Sequence, residues 1–263
     1  MLDKLYIALF VSLSLTVLCH SEEKIVRVAT LEDYAPFCMK TEPNITNDFM
    51  VKPGSDAKGF EGYCWDLLRE SFHEMGYTIH LIVSPWARAM RNVKLGKADL
   101  LFPAGKNPER EQIFDYSAEP TNSANFLIYV RSGDEIEWTG LDGLGGRLIG
   151  VKRGFNYGGM WSSAAGIKIY NVGTIAMGFK MLSAGRIDGF LGYEYNWDYY
   201  LSREGSVHKF RKMPVFDTSH EYLVALKKNP NGKELLNVFD TGKKRLVRNG
   251  RLDAMRIRWF GAM

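Results

Sequence analysis

The run Val93-Lys94-Leu95-Gly96-Lys97-Ala98-Asp99-Leu100-Leu101 is echoed by Leu182-Ser183-Ala184-Gly185-Arg186-Ile187-Asp188-Gly189-Phe190. Each copy closes a helical stripe with a glycine, adds a base, any residue and an aspartate, and then turns apolar. Glycine reaches the left-handed conformation that ends a helix at no side-chain cost, and a short turn then leads into a strand. Helix–turn–strand units of this kind are common in α/β proteins, so the surroundings decide whether the two copies mark a duplication.

Outward from the first copy, Trp86, Ala89, Met90 and Val93 share one face of a helix, and Tyr77 to Val83 reads as the strand before it. Further upstream, Trp65, Leu68, Phe72 and Met75 recur at helical spacing. Gly76 follows at the cap position, and Lys24 to Thr30 forms a β-branched strand. With Asp99 to Phe102 as the next strand, the order is βαβαβ, which implies a parallel sheet. The stretch from Thr41 to Lys58, rich in Pro, Asn, Asp and Gly, reads as an inserted surface loop. Around the second copy, Arg147 to Val151 reads as a strand and Gly154 to Gly158 as a glycine-bounded loop. Thr174 caps a helix bearing Ile175, Phe179 and Leu182. The two halves share one design.

The N-terminus carries Lys4, an apolar run from Leu5 to Leu18 and a polar stretch from His20. That run is shorter than the ~20 residues a membrane-spanning helix needs and fits a cleavable secretory leader over residues 1–21, cut near Ser21. Leu18 is bulky where lipid-attachment sites carry a small residue, which argues against lipidation of Cys19. In a bacterium the exported chain is expected in the periplasm. About 240 residues remain, enough for two small domains. The chain is 46% hydrophobic and 24% charged, and its net charge of +4 is spread along the sequence rather than gathered in a basic arm, so nucleic acid is not an expected partner. Once the leader is removed, Cys38 and Cys64 form an even pair in an oxidising compartment, and a Cys38–Cys64 disulfide is expected.

Several segments taken in order resemble the bacterial extracellular solute-binding proteins of the polar amino-acid type. They are Val26-Arg27-Val28-Ala29, Tyr34-Ala35-Pro36-Phe37, Gly62-Tyr63-Cys64-Trp65-Asp66-Leu67-Leu68 and Gly96-Lys97-Ala98-Asp99. Pro108-Glu109-Arg110, Phe114-Asp115-Tyr116-Ser117, Gly150-Val151-Lys152-Arg153-Gly154 and Ala184-Gly185-Arg186-Ile187-Asp188 complete the set. The resemblance implies the type II periplasmic binding fold: two similar α/β lobes, each a mainly parallel sheet flanked by helices, joined by two hinge strands and closing on a ligand. Lobe 1 is expected over 22–120 plus 221–263 and lobe 2 over 121–220, with crossings near Tyr116 to Tyr129 and Thr218 to Ala225. It further implies capture of a small amino-acid-like or carboxylated ligand by a monomer, for delivery to an ABC transporter permease or a membrane receptor, with no cofactor and no chemistry.

The residues themselves suggest how such a cleft works. Asn107-Pro108-Glu109-Arg110 supplies a cap, a proline at the first helical position and an arginine, so that backbone N–H groups and a guanidinium can converge on a carboxylate. In the resembled family, the arginine matching Arg110 holds the ligand's α-carboxylate. Tyr34, Phe37 and Trp86 sit at or just beyond strand ends and are candidates for an aromatic wall, although Trp86 also begins its helix's apolar stripe. Asn156, Tyr157 and Gly158 offer turn N–H groups from the second lobe. In the resembled family an acidic residue shortly after the strand matching Asp188 to Leu191 accepts the ligand's ammonium group; Glu194 is the nearest candidate here, with Asp198 more distant, and Lys152 and Arg153 are bases that favour acidic ligands if they line the cleft. The chain departs from the family where Ser or Thr hydroxyls are usual, offering Pro103-Ala104-Gly105, so that only backbone groups of Ala104 and Gly105 serve there.

Two other readings stay open. One is a dehydratase of the same fold acting on carboxylated cyclohexadienyl compounds, with Glu194 as a general acid. The other is a sensory module that presents its ligand to a receptor. His73, His80, His208 and His220 lack metal-ligand spacing, and the sequence has neither a Gly-x-Ser-x-Gly elbow nor a phosphate-binding Gly-Lys-Ser/Thr loop.

Overall fold

The computed structural model describes residues 23–261 with the exception of Pro43. The expected leader at 1–21 and Cys19 lie outside the described residues. The first half runs through β1 (Ile25–Thr30), β2 (Asp33–Tyr34), β3 (Cys38–Lys40), β4 (Asp48–Val51), β5 (Phe60–Glu61), α1 (Tyr63–Glu74), β6 (Thr78–Val83), α2 (Trp86–Lys94), β7 (Leu100–Gly105), α3 (Pro108–Ile113) and β8 (Phe114–Tyr116). The ten-residue strand β9 (Asn122–Arg131) then leads into β10 (Leu148–Lys152), α4 (Gly158–Ser163), β11 (Lys168–Val172), α5 (Ile175–Ser183), β12 (Gly189–Tyr193), α6 (Glu194–Arg203) and β13 (Phe210–Lys212). A second ten-residue strand, β14 (Asp217–Leu226), returns to the first half, where α7 (Gly232–Arg248) and α8 (Arg251–Phe260) pack on α1.

The main sheet has the order β11-β10-β12-β9-β14-β7-β1-β6-β4, with β13 on β9 and β8 on β14. At one end β1 runs parallel to β6 and β7, and at the other β10 runs parallel to β11 and β12. The long strands β9 and β14 lie between them and pair with each other from Asn122↔Glu221 to Phe126↔Asp217. Beyond that stretch they diverge, β9 onto β12 and β14 onto β7 and β8. Two α/β halves of similar design, bridged by two strands, are therefore what the sheet order shows. Trp65 and Trp197 are fully buried, one in each half, and truncating either to alanine would cost about 3–5 kcal/mol.

The repeated motif has one structural job in both halves. Gly96 and Gly185 take φ +70° and +66°. Asp99 Oδ2 then accepts the Arg27 N–H at 3.0 Å, and the Asp99 N–H donates to Arg27 O at 2.8 Å. Asp188 does the same to Leu148, with both bonds close to 2.7–2.8 Å. Each aspartate thereby locks the register of its strand against the first strand of its own half.

Two expectations are corrected. The stretch Thr41 to Lys58 is not all loop: Asp48–Val51 forms β4, antiparallel to β6, because Val51 buries its side chain on the sheet while Asp48 and Met50 face solvent. The Cys38–Cys64 disulfide is absent, and both thiols are buried and free. Cys64 Sγ donates instead to Asn122 Oδ1 at 3.2 Å, which commits it to the crossing strand. Burial pushes both thiols up, which favours their protonated form.

Candidate functional site

Open α/β sheets present ligands beyond the carboxyl ends of their strands. Here the ends of β1, β7, β10 and β12 converge on the seam crossed by β9 and β14, around a cavity of about 410 Å³. That size suits a small molecule. The first half contributes Tyr34, Trp86, Gly105 and Arg110, and the second contributes Lys152, Arg153, Phe155, Asn156 and Tyr193. The crossing strands add Phe126, Ser219 and Glu221.

Arg110 is held from behind. Asn107 Oδ1 accepts the Arg110 N–H at 2.8 Å, so the cap satisfies that donor and the guanidinium is left to meet an anion. Arg110 Nη1 donates to Gly105 O at 3.0 Å, and the guanidinium lies 5.3 Å from the centre of the Trp86 ring. Among the described residues no carboxylate forms an ion pair with it. A preformed, half-buried guanidinium aimed at a cavity suits a bidentate carboxylate.

Between the halves the rings make a continuous lining. Tyr34 stands edge-on to Phe155 at 6.1 Å and to Tyr193 at 6.2 Å, and Phe155 and Tyr193 lie 4.8 Å apart. Asn196 Nδ2 donates to Ala35 O at 2.5 Å, a second contact across the seam.

A family model described as bacterial extracellular solute-binding proteins, family 3, matches residues 26–262. The chain belongs to that family. The fold of this family 3 protein is shared with ArgBP from T. maritima (TM-score 0.70, 18% identity, 90% of this chain and 96% of that one). It is shared too with the GluR0 ligand-binding core from Nostoc punctiforme in complex with (L)-glutamate (0.69, 20%, 90% and 100%). An ancestral arginine-binding protein bound to glutamine matches similarly (0.70, 21%, 91% and 99%). No curated protein matches the sequence. Among the described residues no helix of this solute-binding protein is long and apolar enough to cross a membrane, and no group of His, Cys, Asp and Glu is placed to hold a metal ion.

Of the candidates read from the sequence, Tyr34, Trp86, Gly105, Arg110 and Asn156 border the cavity, whereas Phe37, Ala104, Tyr157 and Glu194 do not. Phe37 is buried 5.2 Å behind Tyr34 and borders a smaller hollow of about 210 Å³ with Tyr195 and Phe260. Ala104 packs in the core with Phe114 and Val224. The Tyr157 hydroxyl accepts the Lys152 N–H at 2.9 Å, so this ring shapes the end of β10 from inside. Glu194 opens α6 but turns away from the cavity, accepting from Asn125 at 2.9 Å and Lys212 at 2.7 Å. Burial alone would raise its pKa, yet these two partners outweigh burial and hold Glu194 below the usual range. Asp198 shares Lys212 and also accepts from Tyr129.

Sequence reasoning missed Phe126, Phe155, Tyr193 and Ser219 in the lining and, above all, the buried acid Glu221 on β14. Its Oε2 accepts from Tyr34 Oη at 2.8 Å and Asn122 Nδ2 at 2.7 Å, while Oε1 has no hydrogen bond among the described residues. The signal was present in the sequence as a lone acid opening the apolar run Tyr222-Leu223-Val224-Ala225. Burial pushes the Glu221 carboxyl above the ordinary carboxylate range, against the pull of Asn122, Tyr34 and Arg110.

Linkage fixes the sign of its effect on stability. With its folded pKa above the unfolded one, Glu221 favours the fold while protonated, and that contribution is lost as pH rises from about 4.3 through the folded value. Glu221→Gln keeps an oxygen for Tyr34 and Asn122 but cannot ionise. Its melting temperature is expected to exceed the parent's at pH 8, with the gap closing towards pH 4. A gap that stays constant across that range would show that Glu221 does not titrate as its burial requires.

Proposed function

We propose that this protein is a periplasmic receptor that captures one small amino-acid-like or carboxylated molecule between its lobes and releases it unchanged to an ABC-type importer. The observation that carries this reading is the Arg110 guanidinium, which is positioned by Gly105 and Trp86 and faces the interlobe cavity without an ion-pair partner among the described residues. In this reading residues 1–21 are removed on export. Lobe 1 comprises 22–120 and 221–263, lobe 2 comprises 121–220, and closure about β9 and β14 brings Asn156 and the ends of β10 and β12 onto a ligand held by Arg110. Tyr34 and Trp86 supply flat apolar surface, and the mature chain acts as a monomer. Family membership and amino-acid-binding proteins of the same fold support it. Glu194, the acid that the sequence offered for a catalytic reading, pairs with Lys212 outside the cavity.

A thermal-shift screen of residues 22–263 against amino acids, short peptides and organic acids tests this. A ligand that binds only the folded state, present at ~100 Kd, stabilises by about 2.7 kcal/mol, or ~5–10 °C for a chain of this size. Recovery of the bound compound by mass spectrometry is expected to return it intact. No shift from any carboxylated compound, or release of an altered product, would count against the reading.

A further inference from the structure

Three bases border the cavity from opposite sides of the seam. Arg110 stands on the first half, and Lys152 and Arg153 stand at the end of β10 on the second. Three acids border the same cavity: Glu32 lies 3.1 Å from Lys40, and Glu221, whose Oε2 accepts from Tyr34 and Asn122, has its charged form disfavoured by burial. Asp33 reaches Lys152 only at 3.9 Å, with two-thirds of its side chain in solvent. Lys152 is the informative group: its side chain is 13% exposed, and its ammonium sits 4.3 Å from the centre of the Phe155 ring. Burial lowers its pKa, with Asp33 offsetting only part of the effect. A buried cation with so distant a partner is costly unless something else supplies the anion.

We propose that the cleft selects a ligand with two carboxylates, one gripped by Arg110 and the other by Lys152 and Arg153 from the opposite lobe. The inference rests on the reading of the cleft as a binding site. Phe155 and Tyr193, whose rings lie 4.8 Å apart, border the same cavity and offer apolar surface for the short carbon chain that joins the carboxylates. Because the two grips belong to different halves, such a ligand ties the lobes together through its own length. A basic amino acid meets like charge at Lys152 and Arg153, and a neutral one leaves Lys152 with Asp33 alone.

Isothermal titration of the mature protein at neutral pH with glutarate, L-glutamate, L-glutamine and L-arginine tests the proposal. Glutarate or L-glutamate is expected to bind on the order of tenfold or more tighter than L-glutamine, since one charge-assisted pair is gained, and L-arginine is expected to bind weakest. In the double variant Lys152→Met/Arg153→Gln that preference is expected to collapse. If that variant melts early, Arg153→Gln alone, which alters an exposed side chain, is expected to lose part of it. L-Glutamine or L-arginine matching the diacids would overturn the proposal, as would a preference that survives the double variant or no binding by either diacid. A different ligand from the wider screen whose binding is lost in Arg110→Ala would then leave the reading of the cleft intact and remove only the second carboxylate.

Discussion

Arg110→Ala is expected to abolish ligand-induced stabilisation while leaving the unliganded protein folded. The two expectations separate because Arg110 gives the fold little. Its side chain makes one hydrogen bond, to Gly105 O, and one cation–π contact, with Trp86, at the rim of a cavity. Its contribution to a bound carboxylate is larger, since removing one partner from a desolvated, hydrogen-bonded charge pair costs ~2–5 kcal/mol, roughly thirtyfold to a few thousandfold in affinity. Arg110→Lys separates charge from geometry. An ammonium keeps the charge but loses the two parallel hydrogen bonds and the flat face on Trp86, so it is expected to recover only a small part of the loss. Calorimetry on the three proteins with the best ligand of the screen measures this. Retention of near-parental affinity by Arg110→Ala would move the anion site elsewhere in the cavity.

What was legible in the sequence is what local backbone chemistry dictates. The glycine and aspartate of each repeat could be read because they act within one turn and one neighbouring strand: Gly96 and Gly185 need left-handed φ, and Asp99 and Asp188 reach the next strand's N–H. Asn107 was legible for the same reason, as a cap acting three residues on. What was not legible depends on partners distant in sequence. Glu221 meets Tyr34 across 187 positions and Asn122 across 99, so neither its burial nor its role can be seen from its neighbours. Phe37 and Tyr157 are aromatics close in sequence to Tyr34 and Phe155, and only the packed structure separates those that turn inward from those that face the cavity. Glu194 opens α6 directly after β12, and there Lys212 on β13 captures its carboxylate. The cysteines paired by count, but one sulfur found an oxygen instead of its expected partner.

Gly62→Ala is expected to cost the fold heavily for one added methyl, and to weaken ligand binding with it. Gly62 precedes α1 with φ +142°, a conformation L residues rarely adopt, and an added methyl would fall on the backbone carbonyl of Phe37, with Cys38 N 2.7 Å away. That carbonyl cannot simply step aside. The first N–H groups of α1 have no partners within the helix, and Tyr63 N donates to Pro36 O at 2.9 Å while Cys64 N donates to Phe37 O at 3.0 Å. The loop from Tyr34 to Cys38 is thus fastened to the start of α1, and it carries Tyr34, whose hydroxyl bonds Glu221 inside the cavity. Strain at φ and displacement of the loop together are expected to cost ~3 kcal/mol or more, roughly 6–12 °C in melting temperature. Gly54→Ala supplies the comparison: its φ is also positive, +82°, but nothing lies within 4 Å of the added methyl, so strain alone applies and about 1 kcal/mol is expected. Melting curves of both variants decide between clash and strain. Equal losses would mean that the contact with Phe37 is relieved cheaply, and with it the claim that α1 fixes the aromatic loop would fall.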